Sequence, residues 1–200
     1  DATTRGHLGA LTTRGRLVRF TPVDLPSVPG NSVQLAAGTR ADQYLGLSGG
    51  EHVVAIVPLD GTMPLALGTA QGVVKRVLPS EIAPRDDIEI ISLKPHDAVV
   101  GGALAPDDAE LLFVTDDAQL LRFDASAVRA QGRAAGGMAG IRLGPGAAVI
   151  GFAVIPAMEA AEAVVVTAAG SAGALAGADV SSGKVSPLSE FPPKGRATGG

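Results

Sequence analysis

The feature of this 200-residue sequence that most constrains its fold is an internal repeat. A nine-residue module that begins with Thr occurs at residues 12–20, 69–77 and 115–123. In each copy a Gly or Ala follows the Thr by three residues, and an Arg follows it by seven. A fourth copy begins at residue 164 and is interrupted by small residues before it resumes at Lys184.

A second module precedes the first at a nearly constant distance. It begins at Leu47, Leu93 and Leu143, which lie 22, 22 and 24 residues before the next repeated Thr. Because two independent modules keep this spacing, chance similarity is a poor explanation. The sequence therefore predicts a single domain over residues 1–200, built from four repeats at about 1–46, 47–92, 93–142 and 143–200.

Each repeat has the pattern of short β-strands. Its apolar segments are four to seven residues long, rich in Val, Leu and Ile, and separated by Gly, Pro or Asp. The small residue three positions after the Thr is expected in a tight hairpin turn, where Gly adopts positive φ easily. About four strands in about 50 residues correspond to a propeller blade, which must stack on its neighbours to bury both faces. An ordinary β-sandwich is the alternative.

Composition narrows the class of protein. The apolar fraction is 46% but the aromatic fraction only 3%, so Ala, Val, Leu and Ile must fill the core, as suits thin stacked sheets. The absence of Cys excludes disulfides and thiolate metal sites. It also agrees with a reducing cytoplasm. We expect no transmembrane segment, because no apolar stretch approaches 18 residues, and no signal peptide.

Several motifs together resemble a known family. They are the hairpin at residues 67–76, the related stretch 184–191, and a glycine-rich run at 131–141 that is repeated at 194–200. In combination they resemble the C-terminal domain of bacterial type IIA topoisomerase A subunits, those of gyrase and topoisomerase IV. The resemblance covers most of residues 8–200. It implies an all-β fold, a β-pinwheel of about four blades that exchange strands, with the ring left incomplete.

The resemblance also implies a function. Such a domain binds and bends duplex DNA without reading its sequence, and it is not itself catalytic. It needs no cofactor, whereas the parent topoisomerase uses ATP and Mg²⁺ elsewhere. The implied partners are double-stranded DNA, the ATPase B subunit, plus the remainder of the A subunit, with no membrane. The implied location is the bacterial cytoplasm, in association with the nucleoid.

One departure separates the sequence from the gyrase pattern. The glutamine-led box of gyrase is rich in Arg and Gly and has a second basic residue. Residues 131–137 keep Gln131, Arg133 and the glycines but carry Ala134 and Ala135 instead of further basic residues. The similarity is therefore closer to topoisomerase IV, and relaxation and decatenation are expected of the parent enzyme rather than chiral wrapping.

Charge is segregated along the chain although the net charge is −4. Residues 129–142 contain three Arg and no acid. Non-specific DNA binding needs Lys and Arg near phosphates, together with backbone N–H groups that glycine leaves accessible. Arg133 and Arg196, both beside Gly, fit this best. The predicted DNA-binding residues are Arg14, Arg16, Arg19, Lys75, Arg76, Arg122, Arg129, Arg133, Arg142, Lys184, Lys194 and Arg196. Since neighbours in a strand alternate, Lys75 and Arg76 are expected on opposite faces.

Two other functions are alternatives. Acidic clusters at residues 86–89, 107–110 and 116–117 would suit a propeller that binds protein instead of DNA. A propeller hydrolase would need converging carboxylates or histidines, and the sequence shows no such set.

The remaining reactive side chains predict no catalytic or metal site. Tyr44 is interpreted as structural, since the DNA-cleaving tyrosine of the family lies in another domain and directly follows an Arg, whereas Tyr44 follows Gln43. His7, His52 and His96 are too scattered to predict a metal site. Gly136-Gly137 lacks the Gly-Lys-Ser/Thr of a nucleotide-binding loop.

Overall fold

The computed structural model describes residues 5–25, 39–82, 87–169 and 182–200. Within them the chain forms antiparallel strands and a single α-helical turn, α1 (Ala41–Tyr44). The strands are β1 (Leu8–Thr12), β2 (Arg16–Phe20), β3 (Val53–Pro58), β4 (Leu65–Thr69), β5 (Val73–Val77), β6 (Asp87–Glu89), β7 (Val99–Leu104), β8 (Glu110–Thr115), β9 (Leu120–Asp124), β10 (Met138–Ala139), β11 (Val149–Ile155), β12 (Val164–Ala169) and β13 (Ser182–Pro187). The predicted all-β class is confirmed.

The strands form four sheets, and each of the first three combines strands from two consecutive repeats. Their orders are β3-β1-β2-β6, β10-β5-β4-β7 and β11-β8-β9, followed by the hairpin β12-β13. In the first sheet, the hairpin β1-β2 is flanked on both sides by strands that lie further along the chain, beyond residue 50. The hairpin β4-β5 is flanked in the same way by β7 and β10. This exchange of strands between blades is the pinwheel arrangement.

The three hairpins share one register, which explains the nine-residue module. Leu11 pairs with Leu17, Gly68 with Val74 and Val114 with Leu120, each six residues apart. The backbone N–H of the third residue after the repeated Thr donates to the Thr carbonyl in all three turns. That third residue has positive φ in every case: 73° at Gly15, 78° at Gly72 and 64° at Ala118. The predicted turn geometry is confirmed.

The side chain of the repeated Thr also stabilises the turn. Its hydroxyl accepts from the backbone N–H four residues later, at 3.3 Å in the first hairpin, 3.2 Å in the second and 2.9 Å in the third. All three threonines are buried: Thr12, Thr69 and Thr115. Because a buried hydroxyl needs a hydrogen-bond partner, the turn and the threonine stabilise one another.

The core lies between blades. One cluster of buried side chains surrounds Phe113 and Phe123, and a second surrounds Leu11, Leu65 and Ile90. Ala, Val, Leu and Ile supply most of both clusters, as the low aromatic content predicted. Every residue of β4 and β5 is buried, so this hairpin is covered on both faces. That double coverage decides the environment of the charged residues in β5.

The division of the chain into four repeats stays a prediction, and the observed sheets cross its boundaries. The small-residue interruption of the fourth repeat, at 170–181, lies outside the described residues. Among the described strands, none pairs the fourth sheet with the first. No described helix is long and apolar enough to cross a membrane.

Candidate nucleic-acid interface

The predicted DNA-binding residues separate into two groups in the structure. Members of the first group lie in or beside the hairpins and are engaged in internal contacts; we call them the hairpin cations. They are Arg14, Arg16, Lys75, Arg76 and Arg122.

Lys75 is fully buried in the middle of β5. Its ammonium donates to the carbonyl oxygens of Ile90 at 2.7 Å, Arg133 at 2.8 Å and Ala135 at 2.7 Å. A lysine has three N–H donors, and all three are used. Burial lowers the pKa of Lys75 from 10.5 to about 8, and the nearby carboxylates of Glu89 and Glu81 act in the opposite direction. Lys75 therefore has no donor left for a phosphate.

Arg76 is buried on the other face of the same strand, at 4% exposure. Its guanidinium donates to the carbonyl oxygens of Ala105, Ala125 and Val128 at 3.0 to 3.2 Å, and to a carboxylate oxygen of Asp107 at 2.6 Å. These acceptors follow β7 and β9, so Arg76 joins the second blade to the third. Lys75 and Arg76 do lie on opposite faces, but neither face is open to solvent because blades stack on both.

The other hairpin cations also have internal partners. Arg122 donates to Glu110 at 2.7 Å and to the carbonyl of Phe191, which joins the third blade to the segment after β13. Arg16 pairs with Asp87 and, at 2.7 Å, with the buried carboxylate of Glu51. The hydrogen bond to Asp87 is the main cause that raises the pKa of Arg16.

Arg14 is exposed in the first hairpin turn but is held by its neighbours. Its guanidinium donates to the Ser48 hydroxyl at 2.7 Å and to the Gly49 carbonyl at 3.1 Å. The hairpin cations as a group thus fix turns and join blades.

The second group lies in the glycine-rich runs and the loops beside them; we call its members the loop cations. Arg129, Arg133, Arg142 and Lys194 are exposed and Arg196 is partly exposed. None of them forms an ion pair with another described residue. Residues 125–158 and 191–200 contain no Asp or Glu. The loop cations therefore give these two segments together a charge of +5 within a chain of net charge −4.

The second glycine-rich run brings several loop cations together. The Ala197 N–H donates to the Gly140 carbonyl at 2.7 Å, and the Arg142 N–H donates to the Thr198 carbonyl at 2.9 Å. The Arg196 guanidinium reaches the carbonyls of Ala139 at 2.6 Å and Ala127 at 3.2 Å. The run at 194–200 thus packs against Ala127 and residues 139–142, and neither segment carries a carboxylate.

The first glycine-rich run makes the same backbone hydrogen bonds as the second run, with the equivalent residues of the preceding repeat. The Gln131 N–H donates to the Arg76 carbonyl at 2.9 Å, as the Lys194 N–H donates to the Arg122 carbonyl at 2.9 Å. The Ser92 N–H donates to the Ala135 carbonyl at 3.3 Å, matching the bond between Arg142 and Thr198. The runs are therefore equivalent structural elements, and each presents an arginine, Arg133 or Arg196, next to Gly.

Arg19 and Lys184 belong to neither group. Arg19 is half-buried in β2 and lines a cavity of about 450 Å³ beside Phe20 and Tyr44. Lys184 is exposed in β13 and lies 3.9 Å from the carboxylate of Glu190.

The residues interpreted as structural have structural surroundings. Tyr44 ends α1 and packs edge-to-face on Phe20, with ring centroids 6.3 Å apart. His7 lies 3.7 Å from Asp60. Among the described residues, no group of three or more His, Asp or Glu side chains could hold a metal ion.

The acidic clusters contribute carboxylates to internal contacts. Asp107 and Glu110 bind Arg76 and Arg122, and Asp87 binds Arg16. In the third cluster, Asp116 accepts from the Ala148 N–H at 2.9 Å and Asp117 accepts from the Thr115 hydroxyl. Sequence alone could not separate these acids from a protein-binding surface.

Comparison with known proteins gives consistent results. Residues 109–156 and 182–200 match the family described as DNA gyrase C-terminal domain, beta-propeller. The DNA gyrase A subunit of Deinococcus deserti is 29% identical over 96% of this chain and 23% of the relative. Its counterpart in Escherichia coli is 26% identical over 100% of this chain and 21% of the relative. The chain therefore spans about a fifth of the length of these curated relatives.

Solved structures show the same fold. The C-terminal domain of DNA topoisomerase IV superimposes with a TM-score of 0.77 at 23% identity, covering 98% of this chain and 57% of that one. The DNA gyrase A C-terminal domain gives 0.70 at 16% identity, with 98% and 59% covered. At these identities the likeness concerns the fold alone.

Hairpins flanked by strands of the next repeat define the β-pinwheel fold. The chain belongs to the family of C-terminal β-pinwheel domains of gyrase and topoisomerase IV A subunits.

The sequence contained the signal for the loop cations, since residues 129–142 carry three Arg and no acid. It also contained a signal against Lys75 and Arg76. Both are enclosed by valines at positions 73, 74 and 77, which is typical of a strand buried on both faces.

Proposed function

We propose that this domain binds duplex DNA without sequence preference and bends it, as the non-catalytic C-terminal domain of an ATP-dependent type IIA topoisomerase. The observation that carries the proposal is the set of loop cations, which are exposed or, for Arg196, partly exposed, and lack carboxylate partners among the described residues. An exposed cation of this kind can replace a counterion at a phosphate, which is the main source of non-specific affinity.

The backbone around these cations supports the same interpretation. Gly132 precedes Arg133 and Gly195 precedes Arg196, so the residue before each arginine has no side chain of its own to cover the backbone. Exposed N–H groups can then donate beside the guanidinium. Since no base-reading contact is needed, unrelated duplexes should bind alike.

Lys75, Arg76 and Arg122 are left out of the proposed interface because all three are buried and bound to groups inside the protein. Arg16 is excluded as a primary contact because it pairs with Glu51 and Asp87, and Arg14 because it binds Ser48, which also binds Glu51. Arg196 is kept, although its guanidinium binds two carbonyls, because its segment carries no Asp or Glu. Five loop cations would neutralise about five phosphates, so log K should fall against log salt with a slope of about −4 to −5.

We further propose that the parent enzyme resembles topoisomerase IV more than gyrase. The support is the box at residues 131–137, where Ala134 and Ala135 stand in place of additional basic residues. ATP and Mg²⁺ would be used by other parts of the enzyme. The partners would be DNA, the ATPase B subunit, plus the rest of the A subunit, in the bacterial cytoplasm. Residues 1–200 would act as one domain.

Fluorescence anisotropy with two duplexes of unrelated sequence, titrated at several salt concentrations, tests DNA binding. The expected result is equal affinity and the steep salt dependence given above. A flat salt response, or no binding at low salt, would exclude the proposal and favour a protein-binding role.

Ligation of nicked circles with the domain bound tests the comparison with gyrase. A topoisomerase IV-like domain should bend DNA and leave the linking number almost unchanged. A clear shift in linking number would instead indicate chiral wrapping and a gyrase-like parent.

A further inference from the structure

Lys75 differs from the residues at the same position of the other hairpins. Leu67 pairs with Lys75 in the second hairpin, where Ala10 pairs with Val18 and Phe113 pairs with Leu121 in the first and third. Two of the three equivalent strands thus have an aliphatic side chain at this point, and Leu121 is fully buried. The strand itself does not need an amine here.

The amine instead connects the first glycine-rich run to the first blade. Its three acceptors are the carbonyl of Ile90, which follows β6, and the carbonyls of Arg133 and Ala135 in the run. One contact is made to the backbone of Arg133 itself. The equivalent run at 194–200 has no such lysine, and Arg196 is tied by its own guanidinium to Ala127 and Ala139.

The side chain of Arg133 has no internal partner among the described residues. Lys75 holds the backbone of the run, and the Arg133 side chain is exposed and makes no hydrogen bond to any described residue. We propose that Lys75 is a positioning residue for DNA binding, whose ammonium holds the run 131–137 so that Arg133 is presented to a phosphate. The inference rests on the DNA-binding function proposed above.

The physical basis is preorganisation. A run with three glycines among seven residues has a large conformational entropy when free, and ordering it on DNA would reduce affinity. A charged donor that binds two carbonyls of the run orders it before DNA arrives. The groups that face this amine from neighbouring elements are the carboxylates of Glu81 and Glu89, which favour its charged form.

The test uses Lys75→Leu, which copies the residue found at position 121, with Lys75→Met as a second uncharged variant. Lys94→Ala, which removes an exposed lysine in the turn before β7, is the matched control. For each protein we would measure amide hydrogen exchange at Ala135 and Ser92, and the salt slope of duplex binding.

In both Lys75 variants, exchange at Ala135 and Ser92 should accelerate about tenfold or more, since the run loses its anchor. The salt slope should flatten by about 0.9, as it should in Arg133→Ala. The double variant Lys75→Leu with Arg133→Ala should show no additional change in slope. Lys94→Ala should change neither quantity.

Chemical restoration of the amine at position 75 is possible because the chain has no Cys, so a cysteine introduced there can be alkylated selectively. Lys75→Cys, alkylated with 2-bromoethylamine while unfolded and then refolded, regains an amine of nearly the same length. It should regain the wild-type slope and exchange rates.

The possible failures are distinct. If the wild-type protein shows no salt-dependent duplex binding, the proposed function fails and this inference fails with it. If Arg133→Ala flattens the slope but both Lys75 variants keep the wild-type value, only the inference is overturned. Failure of both uncharged variants to fold would also overturn it, because the amine would then be a requirement of the blade.

Discussion

The hairpin cations and the loop cations have the same chemistry but opposite roles. Arg76 and Arg133 are both arginines within repeated motifs, yet Arg76 binds three carbonyls and a carboxylate whereas Arg133 is exposed. The difference arises from the element that carries each residue. A strand stacked between two blades finds partners for most of its polar groups inside the protein, whereas the glycine-rich run leaves the Arg133 side chain in water.

The comparison predicts that removing Arg76, a hairpin cation whose side chain makes no hydrogen bond to residues 131–137, affects stability and leaves the DNA salt slope unchanged. Arg76→Ala should lower the free energy of unfolding by about 3 kcal/mol, because three buried carbonyls lose a charged donor. Urea denaturation would measure the loss, with Arg129→Ala as the matched loop variant. A change below about 0.5 kcal/mol for Arg76→Ala would show that the two groups do not differ in this respect.

Removing two loop cations should have the converse effect. The double variant Arg129→Ala with Arg142→Ala should flatten the salt slope by about 1.8. Between about 50 and 200 mM salt its affinity would then fall about tenfold less than that of the wild type. Anisotropy titrations would measure this, and the urea midpoint should stay near the wild-type value. A shifted midpoint with an unchanged slope would place these arginines with the hairpin cations.

The lowered pKa of Lys75 predicts that the free energy of unfolding depends on pH, an effect that no loop cation should share. Between pH 8 and 10.5 the Lys75 amine keeps its proton in the unfolded chain but has lost it in the folded chain. Lys75 should therefore make the free energy of unfolding rise with pH in this window, by at most about 1.4 kcal/mol per pH unit.

Urea denaturation of wild type and Lys75→Leu at pH 7, 8, 9 and 10 would isolate this contribution as the difference between the two curves. Parallel curves would contradict the pKa shift.

The smallest predicted effect is that of a single loop cation. Arg133→Ala should flatten the salt slope by about one unit, weaken unrelated duplexes equally, and change stability by less than about 0.5 kcal/mol. Bending should decrease as well, because contacts along the protein must offset the cost of curving DNA, on the order of 1–6 kcal/mol for 20–30 base pairs. Melting temperature and salt slope measured on the same variant would show which group Arg133 belongs to. Lost stability with an unchanged slope would move it to the hairpin cations.

Much of the fold could be predicted from local sequence. The repeated Thr, with its small residue three positions later, predicted hairpin turns that the structure contains at Gly15, Gly72 and Ala118. Local signals suffice here because a turn needs only a residue that tolerates positive φ and a hydroxyl that bonds four residues ahead. The exchange of β6 and β10 into the preceding sheets was available only through the family resemblance, because strand pairing over about 70 residues leaves no local trace.

The candidate site was predictable only in part. The sequence by itself determined the repeat, the turns, the strand character and the acid-free segments around Arg133 and Arg196, all of which depend on neighbouring residues in the chain. The tertiary structure decided which internal groups Lys75 and Arg76 bind, and that Arg122 joins the third blade to the segment after β13. Alternation along β5 could place these side chains on opposite faces, but whether a face meets solvent depends on what stacks against it. For β5 both faces are covered, so charges that would serve DNA on an open strand are used instead to hold the blades together.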